Sequence, residues 1–224
     1  MITNLEYSVS PNFCKREEVT LLASEFEEAF NNPHSHKLSE NIIQLNTDEI
    51  ENSAILSSVC MRVEAHLVNV FNVSGICFAK AWFVKSQSKI SDPTELPYLP
   101  HFDKHRFLKA MIYIHEVKNE HGPIHFGKLI TPSQIDVRRK NLPANYKKLG
   151  LNTIKSCELK SGMMPILGSK GDVIFFDTNT AHCAGIVSKG FERHVIRFDF
   201  DVQGFNSEKS FVKRLFSAIS SRMR

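Results

Sequence analysis

Through the first third of the chain, apolar residues recur at intervals of three and four; beyond that they come in short, dense runs. Between Lys15 and Phe30, Val19, Leu22, Phe26 and Phe30 are set among charged residues. That spacing puts them on one helix face, and Asn31-Asn32-Pro33 ends the helix. A second helix is expected from Asp48, with Glu51 three residues on giving a capping-box pattern. Its stripe is Leu56, Val59, Val63, Leu67 and Val70, and Gly75 closes it.

After Gly75 the pattern becomes strand-like. Ile76 to Val84 is rich in β-branched and aromatic residues, and Leu108 to Ile114, Asp172 to Phe176 and His194 to Phe200 look similar. Short strands punctuated by Pro, Gly and Asn fit an antiparallel barrel or jelly roll. Ser207 to Arg224 reads as a closing helix, with Phe211, Leu215 and Ile219 on one face beside basic residues. The expected fold is mainly β with flanking helices, built on a double-stranded β-helix (jelly-roll, cupin-like) core. As one domain it divides into a mainly helical part (1–75), the core (76–206) and the C-terminal helix (207–224). An insertion over 128–165 interrupts the core; from Lys128 to Lys160 it holds eight basic and two acidic residues. Insertions of this size are often functional loops.

Composition narrows the class. A 224-residue chain with 42% hydrophobic and 23% charged residues can bury a core without staples, so a metal would serve chemistry and not folding. The net charge of +4 and pI near 8.8 are too mild to imply nucleic acid. Cys14, Cys60, Cys77, Cys157 and Cys183 form no C-x-x-C pair, which suggests reduced thiols and a cytoplasmic setting. The N-terminus lacks signal-peptide features, and no uninterrupted apolar run suits a transmembrane segment.

Three features carry chemistry. His101-Phe102-Asp103 precedes a strand, and in extended chain residues two apart point to the same side. His101 and Asp103 can thus offer a nitrogen and an oxygen to one ion, although an isolated H-x-D is commonly a surface pair. Gly171-Asp172 leads into an apolar strand followed by a turn and His182, a candidate third ligand. Two histidines and a carboxylate on one face of iron leave positions open for co-substrate and O2. Arg193 follows His182 by eleven residues, and its guanidinium can grip a carboxylate through paired hydrogen bonds. Arg197, one pleat repeat further on, is its rival.

His101-x-Asp103, Gly122-Pro123, Gly171-Asp172, His182 and Arg193, in that order, resemble the signature of the phytanoyl-CoA dioxygenase family. The likeness runs from about Tyr98 to Phe200 and is closest over Phe102 to Ile114 and at Glu120-His121-Gly122-Pro123. It implies a jelly roll that binds Fe(II) through His101, Asp103 and His182. It further implies 2-oxoglutarate held by Arg193, O2 as oxidant, and hydroxylation of a small organic substrate with release of succinate and CO2. The family's step from distal histidine to arginine favours Arg193 over Arg197. Related halogenases carry a small residue where Asp103 stands, so Asp103 favours hydroxylation or another oxidation. Two features depart from the family: His125-Phe126-Gly127 replaces the usual Gly-Ser-His, and Ala184 replaces a common serine.

Lys80, Lys85, Lys109 and Tyr113 could reach 2-oxoglutarate from neighbouring strands, and of these Lys109 and Tyr113 are carried forward as co-substrate contacts. An alternative zinc site among His105, His115, His121 and His125 is disfavoured, since Gly122-Pro123 denies His121 and His125 a regular helix. The basic insertion suits an anionic substrate, though charge runs ordinarily face water. Two other readings compete: a Jumonji-type protein hydroxylase or demethylase, whose co-substrate anchor is typically a lysine, and a cupin-like binding protein without catalysis.

Overall fold

The computed structural model describes residues 7–73, 75–88, 98–103, 105–127 and 162–202. The expected C-terminal helix and nearly all of the basic insertion lie outside these residues. In chain order the elements are β1 (Tyr7–Ser10), α1 (Arg16–Asn31), β2 (Lys37–Ser39), β3 (Ile42–Leu45), α2 (Thr47–Asn52) and α3 (Ala54–Phe71). These are followed by β4 (Cys77–Gln87), β5 (Phe107–Tyr113), β6 (Ile124–Phe126), β7 (Met164–Pro165), β8 (Val173–Asp177), β9 (His182–Ala184) and β10 (Glu192–Asp201).

The second expected helix is two. Asn46, not Asp48, opens α2: its side chain accepts from Glu49 N at 2.8 Å while Glu49 answers to Asn46 N at 2.6 Å. Ser53 then interrupts the helix and caps α3, accepting from Leu56 N at 3.2 Å. Asn72, at φ 47°, ends α3 before Gly75 is reached. Although α3 is apolar and long enough to attract a membrane reading, Leu56, Val59, Val63 and Leu67 pack into the core, which explains its composition.

Two antiparallel sheets face one another. The larger has the order β1-β8-β5-β10-β4-β3-β2 and the smaller β7-β6-β9. From β4 onward the chain alternates between them. It passes from β4 to His101, which bridges His182 of β9, then to β5, to β6 and β7, to β8, to β9 and finally to β10. Such alternation winds the chain as a double-stranded β-helix, as the sequence pattern led us to expect. Strands β1 to β3 come from the otherwise helical N-terminal part and widen the larger sheet. The last residues of the expected insertion, Met164 and Pro165, already belong to the smaller sheet.

Period-two alternation gives the larger sheet two buried faces. Leu108, Ala110 and Ile112 of β5 and Ile196, Phe198 and Phe200 of β10 pack beneath α1 and α3, against Leu22, Phe26, Val59 and Val63. The other parity, Met111, Tyr113, Ile174, Phe176 and Val195, points between the sheets and meets Ile124 and Phe126. The helices therefore seal one face and leave the interior of the barrel to build a site.

Candidate metal centre

His101 and His182 lie opposite each other in an antiparallel bridge, with His101 N donating to His182 O at 3.0 Å and His182 N to His101 O at 2.9 Å. Paired residues present their side chains to the same face, and the two imidazole centres are 4.5 Å apart. Each ring is fixed by its own local turn. His101 Nδ1 lies 2.7 Å from Leu99 O, and His182 Nδ1 lies 2.8 Å from Thr180 O. A carbonyl only accepts, so the proton belongs on Nδ1 in both rings and each Nε2 keeps a lone pair.

Both lone-pair nitrogens face Asp103. Its Oδ1 is 3.9 Å from His101 Nε2 and 4.0 Å from His182 Nε2. One ligand atom from each of the three residues falls within 4.8 Å of the others, the one such group found among the described residues. Asp103 Oδ2 accepts from the Lys109 ammonium at 2.5 Å. Burial penalises charge on Asp103, but Lys109, His182 and His101 outweigh it and hold the carboxyl well below the usual range. Burial first, and then His101, push His182 down to about 3. The donor set at neutral pH is therefore a carboxylate with a neutral His182. Two imidazole nitrogens and a carboxylate oxygen suit non-haem iron(II).

A clamp that the sequence pattern did not reveal sets the spacing. Arg106 donates to Asp177 Oδ2 through Nε at 2.8 Å and Nη2 at 2.6 Å, and Asn179 N donates to Asp177 Oδ1 at 2.8 Å. Thr178 Oγ1 accepts from Phe107 N at 2.8 Å, and Thr178 O accepts from Asp103 N at 3.3 Å. The turn before His182 is thereby tied to the segment carrying Asp103. Only the arginine's position four residues before Ala110 and the Asp-Thr-Asn turn hinted at this in the sequence, and neither is distinctive.

Arg193 opens the inward-facing parity of β10. It is 4% exposed, and its guanidinium donates to Gly122 O and to Ser86 Oγ, the latter at 3.2 Å. Among the described residues no carboxylate pairs with it, and its Nε is buried without a hydrogen-bond partner. Burial lowers its pKa, the sign of a desolvated charge without a counter-ion. Arg197 differs, because Asp199 lies 2.9 Å from its Nε. The Gly122-Pro123 turn that receives Arg193 depends on glycine. Gly122 has φ +64°, and a Cβ there would lie 2.5 Å from Gly185 O.

The remaining candidates separate. Lys109 is buried at the metal centre on Asp103. Tyr113 is fully buried and donates to Ile166 O at 2.8 Å, and burial pushes its pKa up to about 12. Lys85 turns to Glu192 at 3.3 Å. His105 is exposed. His115 uses both ring nitrogens, Nδ1 toward Glu116 O at 2.7 Å and Nε2 accepting from His194 N at 2.8 Å. It keeps no lone pair for zinc.

Two histidines and an aspartate thus converge inside a double-stranded β-helix. Among solved structures the chain is similar to the epimerase SnoN in complex with Fe3+, alpha ketoglutarate and nogalamycin RO. The TM-score is 0.61 at 14% identity, over 88% of this chain and 78% of that one. It is also similar to HygX from Streptomyces hygroscopicus with nickel and 2-oxoglutarate bound, with TM-score 0.60, 14% identity and coverage of 90% and 84%. A third is SnoK, a non-heme alpha ketoglutarate dependent carbocyclase from nogalamycin biosynthesis, with TM-score 0.60, 13% identity and coverage of 88% and 80%. At such identity the likeness shows the fold. No protein-family model and no curated protein matches the chain.

Proposed function

We propose that this chain is an Fe(II)/2-oxoglutarate-dependent dioxygenase that hydroxylates a small organic substrate and releases succinate and CO2. His101, Asp103 and His182 would hold the metal and Arg193 the far carboxylate of 2-oxoglutarate. One observation carries the reading: two imidazoles and a carboxylate face one another inside a barrel whose interior also holds a buried guanidinium that meets no carboxylate among the described residues. A buried cation without a counter-ion is costly unless a ligand supplies one, and a dicarboxylate does so.

When bound, iron and 2-oxoglutarate supply the oxidising power. The protein's own residues do the rest. Leu99 and Thr180 carbonyls hold the imidazole rings with Nε2 inward. Lys109 keeps Asp103 ionised and turned toward them. Tyr113, Met111, Phe126 and Phe176 give the cavity apolar walls that keep bulk water from the reacting centre. Lys109 and Tyr113 remain proposed neighbours of the co-substrate, Lys109 acting mainly through Asp103. The resemblance to phytanoyl-CoA dioxygenases, single-domain organisation and a cytoplasmic location belong to the same proposal.

Anaerobic addition of Fe(II) and 2-oxoglutarate tests it. The expected result is a weak visible charge-transfer band that Arg193→Ala shifts to much higher 2-oxoglutarate concentration, with iron binding intact. Absence of the band in the wild-type protein would leave a cupin-like binding protein as the better reading. Unchanged 2-oxoglutarate affinity in the variant would reject Arg193 as the anchor and reopen the Jumonji-type alternative with a lysine anchor.

A further inference from the structure

The end of β5 leaves a gap in the larger sheet beside Arg193. Over Glu192, Arg193 and His194, β10 pairs with Gln87, Ser86 and Lys85 of β4. On its other side the ladder with β5 begins only at Val195, opposite Tyr113, the last residue of β5. A backbone donor on that side needs an acceptor from elsewhere. A side chain supplies it: His115 Nε2, just past the end of β5, accepts from His194 N at 2.8 Å. The other ring nitrogen, Nδ1, lies 2.7 Å from Glu116 O. A carbonyl only accepts and a backbone N–H only donates. Both contacts therefore require the same neutral tautomer, with the proton on Nδ1 and the lone pair on Nε2.

The same ring adjoins the second support of Arg193. Its centre lies 5.4 Å from the His121 ring and 5.4 Å from the His194 ring. His121 belongs to the turn Asn119–His121, where its Nδ1 accepts from Lys118 N at 3.1 Å and Gly122 N donates to Asn119 O at 3.1 Å. Gly122 O, presented by this turn, receives the Arg193 guanidinium. His115 therefore packs between the strand that carries the guanidinium and the turn that receives it. The ionisable groups around it are His121 and the Glu116–Lys118 pair on its own loop, and His194 and Glu192 on β10. His194 in turn faces Lys85 of β4 and Glu27 of α1. Burial pushes the His115 pKa down; Glu116 O and Glu192 oppose this, while His194 and His121 add to it. At neutral pH the ring is uncharged and Nε2 accepts. Acidification adds a proton at Nε2, the nitrogen with the lone pair, and two donors then face each other.

We propose, resting on the oxygenase reading, that His115 is a positioning residue for the co-substrate. Its neutral imidazole replaces the strand partner that β10 lacks beside Arg193, and so holds the guanidinium where the far carboxylate of 2-oxoglutarate is taken. Protonation at Nε2 breaks this tether, and the grip on that carboxylate loosens as pH falls. His115 acts through the His194 amide and Arg193, not on the reacting atoms.

To cancel the effect of pH on the metal itself, two keto acids are compared anaerobically on the Fe(II) protein, 2-oxoglutarate and 2-oxobutyrate. Both chelate iron in the same way, but only the first has a far carboxylate for Arg193. The measured quantity is the ratio of their affinities, read from the charge-transfer band between about pH 7.5 and about pH 5.5, where a carboxylate of ordinary pKa stays mostly ionised. In the wild type the preference for 2-oxoglutarate should fall by about 2–10-fold as His115 titrates, a range that histidine-ring NMR locates. His115→Gln keeps an acceptor that does not titrate, and should hold the neutral-pH preference throughout. His115→Leu removes the acceptor and should show a preference lower by about 2–10-fold even at about pH 7.5. If the ring is still neutral at about pH 5.5, the Leu and Gln variants at about pH 7.5 decide alone. A flat wild-type ratio through the titration of His115, the same slope in His115→Gln, or the wild-type ratio in His115→Leu would overturn the proposal. A purely structural role would weaken both keto acids alike and leave the ratio unchanged. A normal band with an unchanged ratio thus rejects the positioning role alone. No band in the wild type rejects the oxygenase reading, and the positioning role with it.

Discussion

At Asp103 the two carboxylate oxygens have different duties: Oδ1 faces the imidazole Nε2 atoms, and Oδ2 takes the Lys109 ammonium at 2.5 Å. Removing that ammonium leaves the carboxylate free to rotate and easier to protonate. Groups that orient a metal ligand commonly contribute 10–100-fold in affinity. Lys109→Met should therefore weaken Fe(II) binding by about that factor in an anaerobic titration, and Lys109→Arg should restore part of it. Affinity unchanged in Lys109→Met would assign Lys109 to the co-substrate instead. Asp103→Ala should abolish substrate-dependent succinate formation, and full turnover in that variant would place the metal elsewhere. At this scale His101, Asp103 and His182 stand out in the sequence because their residue types match a chemical requirement, and the structure brings one ligand atom of each within 4.8 Å of the others; Arg193 as the anchor belongs to the proposal. The duty of Lys109 was not legible, because it depends on which side chain stands above Asp103 once β5 has docked.

Among the elements, β6 and β9 are three residues each, too short to show a period in sequence, yet β9 carries His182. Their approach runs through two glycines: Gly185 N donates to Pro123 O at 2.8 Å, and a Cβ on either Gly122 or Gly185 would come within 2.5 Å of the other segment's backbone. Gly122 also has φ +64°. Gly122→Ala should cost about 1–3 kcal/mol from backbone strain alone, read as a lower urea midpoint. It should also weaken 2-oxoglutarate binding, because Gly122 O receives Arg193. A midpoint equal to wild type would show that the two segments part without cost. The strands β4, β5, β8 and β10 and the helix α1 were all legible, being long enough to display their periods. The break at Ser53 was not, since no proline or glycine marks it between Thr47 and Leu56.

On the scale of the whole molecule, the packing of α1 and α3 on the larger sheet buries histidines. Burial lowers the pKa values of His66, His115 and His194. His66 sits against Phe13, Phe175 and Ser10. His115 faces His121, His194 and Glu192, and His194 faces Glu27, Glu192 and Lys85. With the folded pKa below the unfolded value, the unfolded chain binds protons first as pH falls. Stability should be complete above about pH 6.5 and decline below it, toward the folded pKa values. Urea midpoints at about pH 7.5 and about pH 5.5 check the sign, which would be wrong if the more acidic sample were the more stable. Leu67→Ala, in the fully buried face of α3, should lower stability by about 2–5 kcal/mol through the cavity it leaves.

The sequence by itself determined which segments are helix and which are strand wherever a segment spans several periods, and it determined the donor types. An imidazole, a carboxylate, a second imidazole and a guanidinium, in that order along the chain, are a chemical statement that needs no coordinates. Only the tertiary structure decided how those groups are held and how the two arginines differ. Arg193 and Arg197 are the same residue on the same face of β10, and a period of two cannot separate them. What separates them is the neighbour each meets among the described residues: Asp199 for Arg197, and Ser86 and the Gly122 carbonyl for Arg193. The partners of Arg193 lie 71 and 107 residues away in sequence, so its burial without a carboxylate among the described residues becomes visible only when the sheets close.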